Sequence, residues 1–155
     1  MTRVLFVCYG NICRSPMAEF VFKKMVADRG LSDEFLIESR ATSSEEIIGG
    51  VGRPIYPPAR NEMRRQGIPF EERRATLLLP SDAEKYDIFL GMDDDNIRNM
   101  KRILGTGVEI HRLLDLTDRG GEVADPWYTD RFDIAYRDIR DGCAALLEYL
   151  LKKAD

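Results

Sequence analysis

Cys8, Arg14 and Asp125 are the residues whose types and settings could do chemistry together. Cys8 and Arg14 bracket five residues in Cys8-Tyr9-Gly10-Asn11-Ile12-Cys13-Arg14-Ser15-Pro16. Tyr9-Gly10-Asn11 supplies turn chemistry, and Ser15 and Pro16 suit the opening of a helix, so the stretch reads as strand, tight loop, helix. Backbone N–H groups in such a loop can face one centre, and the positive end of the following helix points at it too. Arg14 can fork two hydrogen bonds onto phosphate oxygens. The expected phosphate-binding loop is therefore Tyr9, Gly10, Asn11, Ile12, Cys13, Arg14 and Ser15, with the Cys8 thiol at its floor. Amides, helix end and guanidinium all favour the thiolate, which makes Cys8 a nucleophile at neutral pH. Opposite a phosphate monoester it can attack phosphorus in line and form a phosphocysteine, provided an acid protonates the leaving oxygen. A buried strand cysteine before an ordinary turn would need Cys, Gly, Asn, Arg, Ser and Pro to fall into this order by accident.

Among 27 Asp and Glu residues, Asp125 best suits the acid. It precedes Pro126, which favours extended geometry, and its loop carries Trp127 and Tyr128, aromatics able to shield a carboxyl. The plain alternative is a turn-forming aspartate. Tyr9, Trp127 and Tyr128 could wall a pocket deep enough for a phosphotyrosine ring, whereas phosphoserine would leave its phosphate short of Cys8. They could equally pack the loops. Ser15 is either a helix N-cap or a hydroxyl on the Cys8 sulfur, and Asn11 either a positive-φ turn residue or a brace of the loop. Cys13 is either loop filler or a thiol that traps an oxidised Cys8 as a reversible disulfide. Cys143 reads as inert core, and the single histidine, His111, as structural.

The elements that must position these groups alternate between strand and helix. Strands are expected over about residues 4–8, 35–39, 86–92 and 108–113, and helices over about 16–28, 57–67, 94–104 and 131–152. Asp93-Asp94-Asp95 caps the third of these helices, and residues 40–56, with Gly49-Gly50, Gly52 and Pro54, read as a long irregular loop. This pattern implies an α/β fold: a four-stranded parallel sheet with helices on both faces, ligands binding at the carboxyl ends of the strands. Cys8 stands at such an end.

Composition agrees. The chain has 155 residues, 44% of them hydrophobic, enough for one domain over 1–155 with its own core. Its 23 Lys and Arg against 27 Asp and Glu give a net charge of -4, so no global field recruits nucleic acid or an anionic membrane. No apolar run approaches the about 20 residues of a membrane span. Two of the three cysteines lie in the loop, which fits a reducing compartment, and the expected setting is a cytoplasmic monomer.

Written as CYGNICRSP and followed by Met17-Ala18-Glu19, the loop resembles the signature of the low-molecular-weight protein tyrosine phosphatases. Ser39-Arg40-Ala41-Thr42-Ser43, Gly91-Met92-Asp93 and Asp125-Pro126-Trp127-Tyr128 fall where that family has comparable segments, so the resemblance covers nearly the whole chain. It implies hydrolysis of phosphotyrosine in proteins without cofactor or metal, inorganic phosphate or similar oxyanions in the loop, and Asp125 as general acid. It also implies that Asn11 is braced with Ser39 as partner, and that Glu45 and Glu46 occupy a pocket-lining region. The histidine often found in that brace has no counterpart near Phe70-Glu71-Glu72-Arg73. Relatives acting on phosphoarginine tend to carry Thr where this chain has Ile12, whose hydrocarbon favours the aromatic ester. A phosphocysteine carrier is the further alternative, and it would need neither Arg14 nor an acid loop. An arsenate reductase would need another downstream cysteine pair, and only Cys143 is present.

Overall fold

The apolar run at positions 4–7 is fully buried, as expected of a parallel strand covered on both faces. It belongs to β1 (Thr2–Cys8), the second strand of its sheet. The computed structural model describes residues 1–154; Asp155, the last residue of the expected 1–155 domain, lies outside them. After β1 come α1 (Arg14–Asp28), β2 (Phe35–Ala41), β3 (Ile47–Ile48), β4 (Val51–Gly52) and α2 (Pro57–Arg65). The chain continues through β5 (Ile88–Gly91), α3 (Asp94–Leu104), β6 (Ile110–Arg112), α4 (Pro126–Thr129) and α5 (Phe132–Ala154).

The main sheet has the order β2-β1-β5-β6 and every pairing in it is parallel. Its register sets Cys8 against Ala41 and Val7 against Gly91, which gathers the carboxyl ends of β1, β2 and β5 at one edge. The period-two alternation divides β1 between two cores. Val4, Phe6 and Cys8 pack with Met17, Phe22, Ile139 and Cys143 of α1 and α5. Leu5 and Val7 face Phe89, Met100 and Leu104 beneath α3. Each large side chain so buried contributes about 1.5–3 kcal/mol relative to exposure, and together they fix the strand that ends at Cys8. A Cβ on Gly91 would stand 2.9 Å from Ile97 Cδ1 and 3.0 Å from Met100 Sδ. A side chain at 91 would have to push aside the tips of Ile97 and Met100, so α3 packs closely over this glycine, and Asp93 opens that helix beside the loop.

The local boundaries differ from expectation in instructive ways. Helix α1 begins at Arg14 rather than Pro16, so Pro16 is its third residue and not its first. Its missing N–H does no harm there, because the first four amides of a helix have no partner inside the helix. Strand β2 runs two residues past 39, because Ala41 exchanges backbone bonds with Thr76 O and Leu78 N. The irregular region 40–56 contains the small antiparallel hairpin β3–β4, turning through Gly49 and Gly50 at positive φ.

Candidate active site

Cys8 closes β1, and α1 opens six residues later at Arg14, so a five-residue loop folds over the thiol. The turn depends on Asn11, which holds φ at 58°; asparagine tolerates this left-handed conformation better than most residues. The Cys8 sulfur receives the backbone N–H of Asn11 at 3.3 Å and that of Ser15 at 3.4 Å, and lies 3.0 Å from Ser15 Oγ. Three polar hydrogens can therefore converge on one sulfur atom at the amino end of a helix.

Ser15 is not the helix cap. The cap position is Cys13, with no side-chain cap bond, and Ser15 sits one residue inside the helix with its hydroxyl turned to the sulfur. Of its two expected roles the geometry supports the second, because the loop delivers the chain into the helix earlier than local signals suggest. Asn11 is both turn residue and brace. Its Nδ2 donates to Ser15 Oγ at 2.8 Å and to Ser39 Oγ at 3.0 Å, while its Oδ1 accepts from Thr76 N at 3.0 Å.

Arg14 is buried, with Nη1 donating to Asp93 Oδ2 and to Val123 O, both at 2.8 Å, and Nη2 standing 3.4 Å from Asp125 Oδ2. Burial alone would push its guanidinium down, but the charges of Cys8, Asp125 and Asp93 outweigh that and hold it above its ordinary value. Val123 is also tied to the residue that follows β5, donating its N–H to Met92 O at 2.9 Å. These two bonds fix the root of the loop that carries Asp125. Asp125 caps α4, accepting from Trp127 N at 3.0 Å.

Cys8, Tyr9, Gly10, Ile12, Cys13, Arg14, Glu45, Glu46, Asp125, Trp127 and Tyr128 line one cavity of about 550 Å³ including its open mouth. Asn11, Ser15 and Ser39 are buried behind it. The aromatics form its rim more than a lid. Trp127 packs on Tyr56 with ring centroids 5.0 Å apart and stays half-exposed, Tyr128 points to solvent, and the Asp125 side chain remains 27% accessible, so the expected shielding of the acid is partial. Glu46 is turned to Arg53 at 3.3 Å, and Glu45 is exposed on the rim. Burial pushes the Cys13 thiol up, and Cys8 and Asp125 add to that shift. Cys143 lies in the core away from the cavity, its thiol likewise pushed up by burial.

Three participants escaped the sequence reading. Asp93 appeared there as a helix cap, and it also holds Arg14. Glu19 and Arg73 meet Ser39 behind the loop: Ser39 Oγ donates to Glu19 Oε1 at 2.6 Å, and Arg73 Nε donates to Ser39 Oγ at 2.9 Å. The brace thus has a cation from the segment Phe70-Glu71-Glu72-Arg73 where a histidine was sought. A glutamate beside an apolar stripe and an arginine in a charged loop carry no periodic signal that could have paired them.

The sequence profile described as low molecular weight phosphotyrosine protein phosphatase matches residues 3–155. The low molecular weight protein-tyrosine-phosphatase YfkJ of Bacillus subtilis is 35% identical over 159 residues, spanning 99% of this chain and 98% of that protein. The crystal structure of YfkJ superposes with a TM-score of 0.93 at 33% identity, covering 100% of this chain and 98% of that one. SP-PTP, a low molecular weight protein tyrosine phosphatase from Streptococcus pyogenes, gives a TM-score of 0.85 at 37% identity over 97% and 93% of the two chains. An arginine phosphatase from Drosophila gives 0.82 at 26% identity over 97% and 98%.

Proposed function

The chain belongs to the low molecular weight phosphotyrosine protein phosphatase family, and from that premise we propose that it hydrolyses phosphotyrosine in proteins, and small aryl phosphates, through a phosphocysteine on Cys8. The observation that carries this reading is the meeting of the Cys8 thiol, the Arg14 guanidinium and the Asp125 carboxyl in one cavity.

The steps follow from the geometry. Arg14 and the loop amides hold the phosphoryl oxygens and neutralise the charge that builds on them, which is where fixed dipoles act most strongly. Nη1 of Arg14 is committed to Asp93 and Val123, so its remaining nitrogens meet the phosphate in a fixed orientation. The Cys8 thiolate attacks phosphorus, the phosphorus–oxygen bond to the phenol breaks, and Asp125 gives its proton to the departing oxygen. Asp125, now ionised, takes a proton from water as that water attacks the phosphocysteine. Inorganic phosphate leaves, and the sulfur departs as a thiolate stabilised by Ser15 Oγ, 3.0 Å away.

Tyr9, Trp127 and Tyr128 flank the phenyl ring, with Ile12 supplying hydrocarbon beneath. Glu45 on the rim favours substrates with Lys or Arg beside the phosphotyrosine. Cys13 protects the enzyme. If a peroxide oxidises the Cys8 thiolate to a sulfenic acid, the Cys13 thiol displaces water from it to form a disulfide, which an external thiol reduces by exchange. All three cysteines are free thiols, in keeping with a cytoplasmic setting for a domain that spans the chain. No helix of the described residues is long and apolar enough to cross a membrane.

Phosphoarginine is the second reading, favoured by the likeness to the Drosophila arginine phosphatase. One comparison separates the substrates: release of phosphate from phosphotyrosine, phosphoserine and phosphoarginine peptides, in chelator. The proposal expects fast release from phosphotyrosine, faster with Arg than with Glu beside it. Release from phosphoarginine alone would replace it with the second reading.

A further inference from the structure

We propose that Tyr56 is a positioning residue for the general acid: its ring anchors the segment that carries Asp125, while its backbone is tied to the loop over Cys8. This deepens the phosphatase reading and rests on it for the kinetic consequence, whereas the anchoring itself can be read without substrate.

Tyr56 closes the connection between β4 and α2 and takes the N-cap position of α2, with φ -60° and ψ 132°. Pro57 and Pro58 follow it; a residue before proline is held to this extended region, and prolines suit the first turn of a helix. Its carbonyl accepts the N–H groups of Ala59 and Arg60 at 3.0 and 3.2 Å, and its neighbours Ile55, Ala59 and Met63 are buried. Tyr56 therefore has a fixed footing. From it the residue reaches two loops. Its N–H donates to Ile12 O at 2.9 Å, within the phosphate-binding loop. Its ring packs against Trp127, with centroids 5.0 Å apart, and against Phe132, at 6.1 Å.

The segment so held has little of its own to fix it. Helix α4 is four residues long and buries only Pro126, and Asp130 ends it in the left-handed region at φ 60°. A single turn of helix does not sustain itself, so its placement comes from packing. Trp127 lies in α4 and Phe132 opens α5, so the Tyr56 ring grips the acid segment on both sides of that turn. One hydrogen bond carries the grip to the carboxyl: the Trp127 N–H donates to Asp125 Oδ1 at 3.0 Å, while Asp125 Oδ2 stands 3.4 Å from Arg14 Nη2. An indole that shifts takes this donor with it, and proton transfer requires the carboxyl within hydrogen-bond reach of the departing oxygen.

Trp127 is the single tryptophan of the chain, so its fluorescence reports on this segment. The test is acrylamide quenching of Trp127 in substrate-free enzyme, beside kcat/KM for phenyl phosphate, a poor leaving group, and p-nitrophenyl phosphate, a good one. Tyr56→Leu keeps the backbone amide and removes the ring. It should raise the quenching constant. It should also lower kcat/KM for phenyl phosphate about three- to tenfold, the worth of one aromatic pair, and that for p-nitrophenyl phosphate much less. Tyr56→Phe, which keeps the ring, should restore both readouts. Added to Asp125→Ala, Tyr56→Leu should cost nothing further, because its effect passes through that carboxyl. Tyr56→Met, whose flexible chain fills irregular space, decides the matter if Tyr56→Leu does not fold. Unchanged quenching, an equal loss with both esters, or the same loss repeated in the Asp125→Ala background would overturn the proposal. Quenching that rises in Tyr56→Leu, when wild type hydrolyses neither ester, would keep Tyr56 as the anchor of the Asp125 segment and defeat the phosphatase reading alone.

Discussion

Arg14 Nη1 donates to Asp93 Oδ2 at 2.8 Å, while the other oxygen of Asp93 accepts the Asn96 N–H at 2.8 Å and caps α3. One carboxylate thus ties the buried Arg14 guanidinium to the first turn of α3, which packs closely over Gly91. The scaffold therefore holds the Arg14 guanidinium in one orientation.

The two duties of Asp93 separate by substitution. Asp93→Asn keeps an N-cap but loses the charge opposite Arg14, so the melting temperature should stay close to wild type while kcat/KM for an aryl phosphate falls about tenfold. Asp93→Ala should add a loss of about 1 kcal/mol of stability for the missing cap. Thermal denaturation and steady-state kinetics on both variants check this; equal kcat/KM in wild type and Asp93→Asn would remove Asp93 from the aiming of Arg14.

Asp125→Ala should slow aryl phosphates in proportion to the basicity of the departing phenol. With a poor leaving group, the loss of general acid catalysis is on the order of 10²–10⁴-fold, and with a good one it is much less. A plot of log kcat/KM against leaving-group pKa is the measurement. The same slope in wild type and variant would take the acid role away from Asp125.

Cys13→Ala should leave turnover close to wild type but change the response to peroxide. Wild type should recover on addition of a thiol reductant, because Cys13 converts the Cys8 sulfenic acid to a disulfide before further oxidation. The variant should recover much less, its Cys8 having passed to sulfinic acid. Equal recovery in both would leave Cys13 as loop filler.

Far from the site, Glu109 joins the end of α5 to the sheet. It accepts from Tyr149 at 2.6 Å and from Lys153, and lies 2.8 Å from His111 Nε2. Partial burial would raise its carboxyl, but these partners prevail and hold it at about 2. A carboxyl depressed in the folded state stabilises it above the unfolded pKa of about 4.3. That contribution is lost as pH falls through the range from there to about 2. Glu109→Gln should therefore cost about 1 kcal/mol at neutral pH, allowing for solvent screening, with the difference shrinking below about pH 4.3. Chemical denaturation at several pH values tests this; a gap that widened in acid would contradict it.

Much of this was legible before any coordinates. The apolar runs at 4–7 and 88–90 are strands because parallel strands bury both faces, and Asp93 is a cap because acids favour the first turn of a helix. The spacing from Cys8 to Arg14 implied the cradle. What was hidden depended on contacts distant in sequence. Ser15 and Pro16 looked like the start of a helix, but the loop brings the chain into helical geometry at Arg14, which frees the Ser15 hydroxyl for sulfur. Arg73 and Glu19 meet through the fold, 54 positions apart, and no local pattern pairs them. The hairpin β3–β4 is two residues a side, too short for an alternation to register.

The central claim is that Cys8 carries the phosphoryl group. Wild type and Cys8→Ser would be mixed with p-nitrophenyl phosphate, quenched in acid within milliseconds, and mapped for the phosphorylated residue by mass spectrometry. The account predicts a stoichiometric burst of nitrophenol and phosphate on Cys8 in wild type. In Cys8→Ser it predicts neither, although inorganic phosphate still binds the loop. Phosphate on any other residue, or turnover that survives in Cys8→Ser, would contradict it.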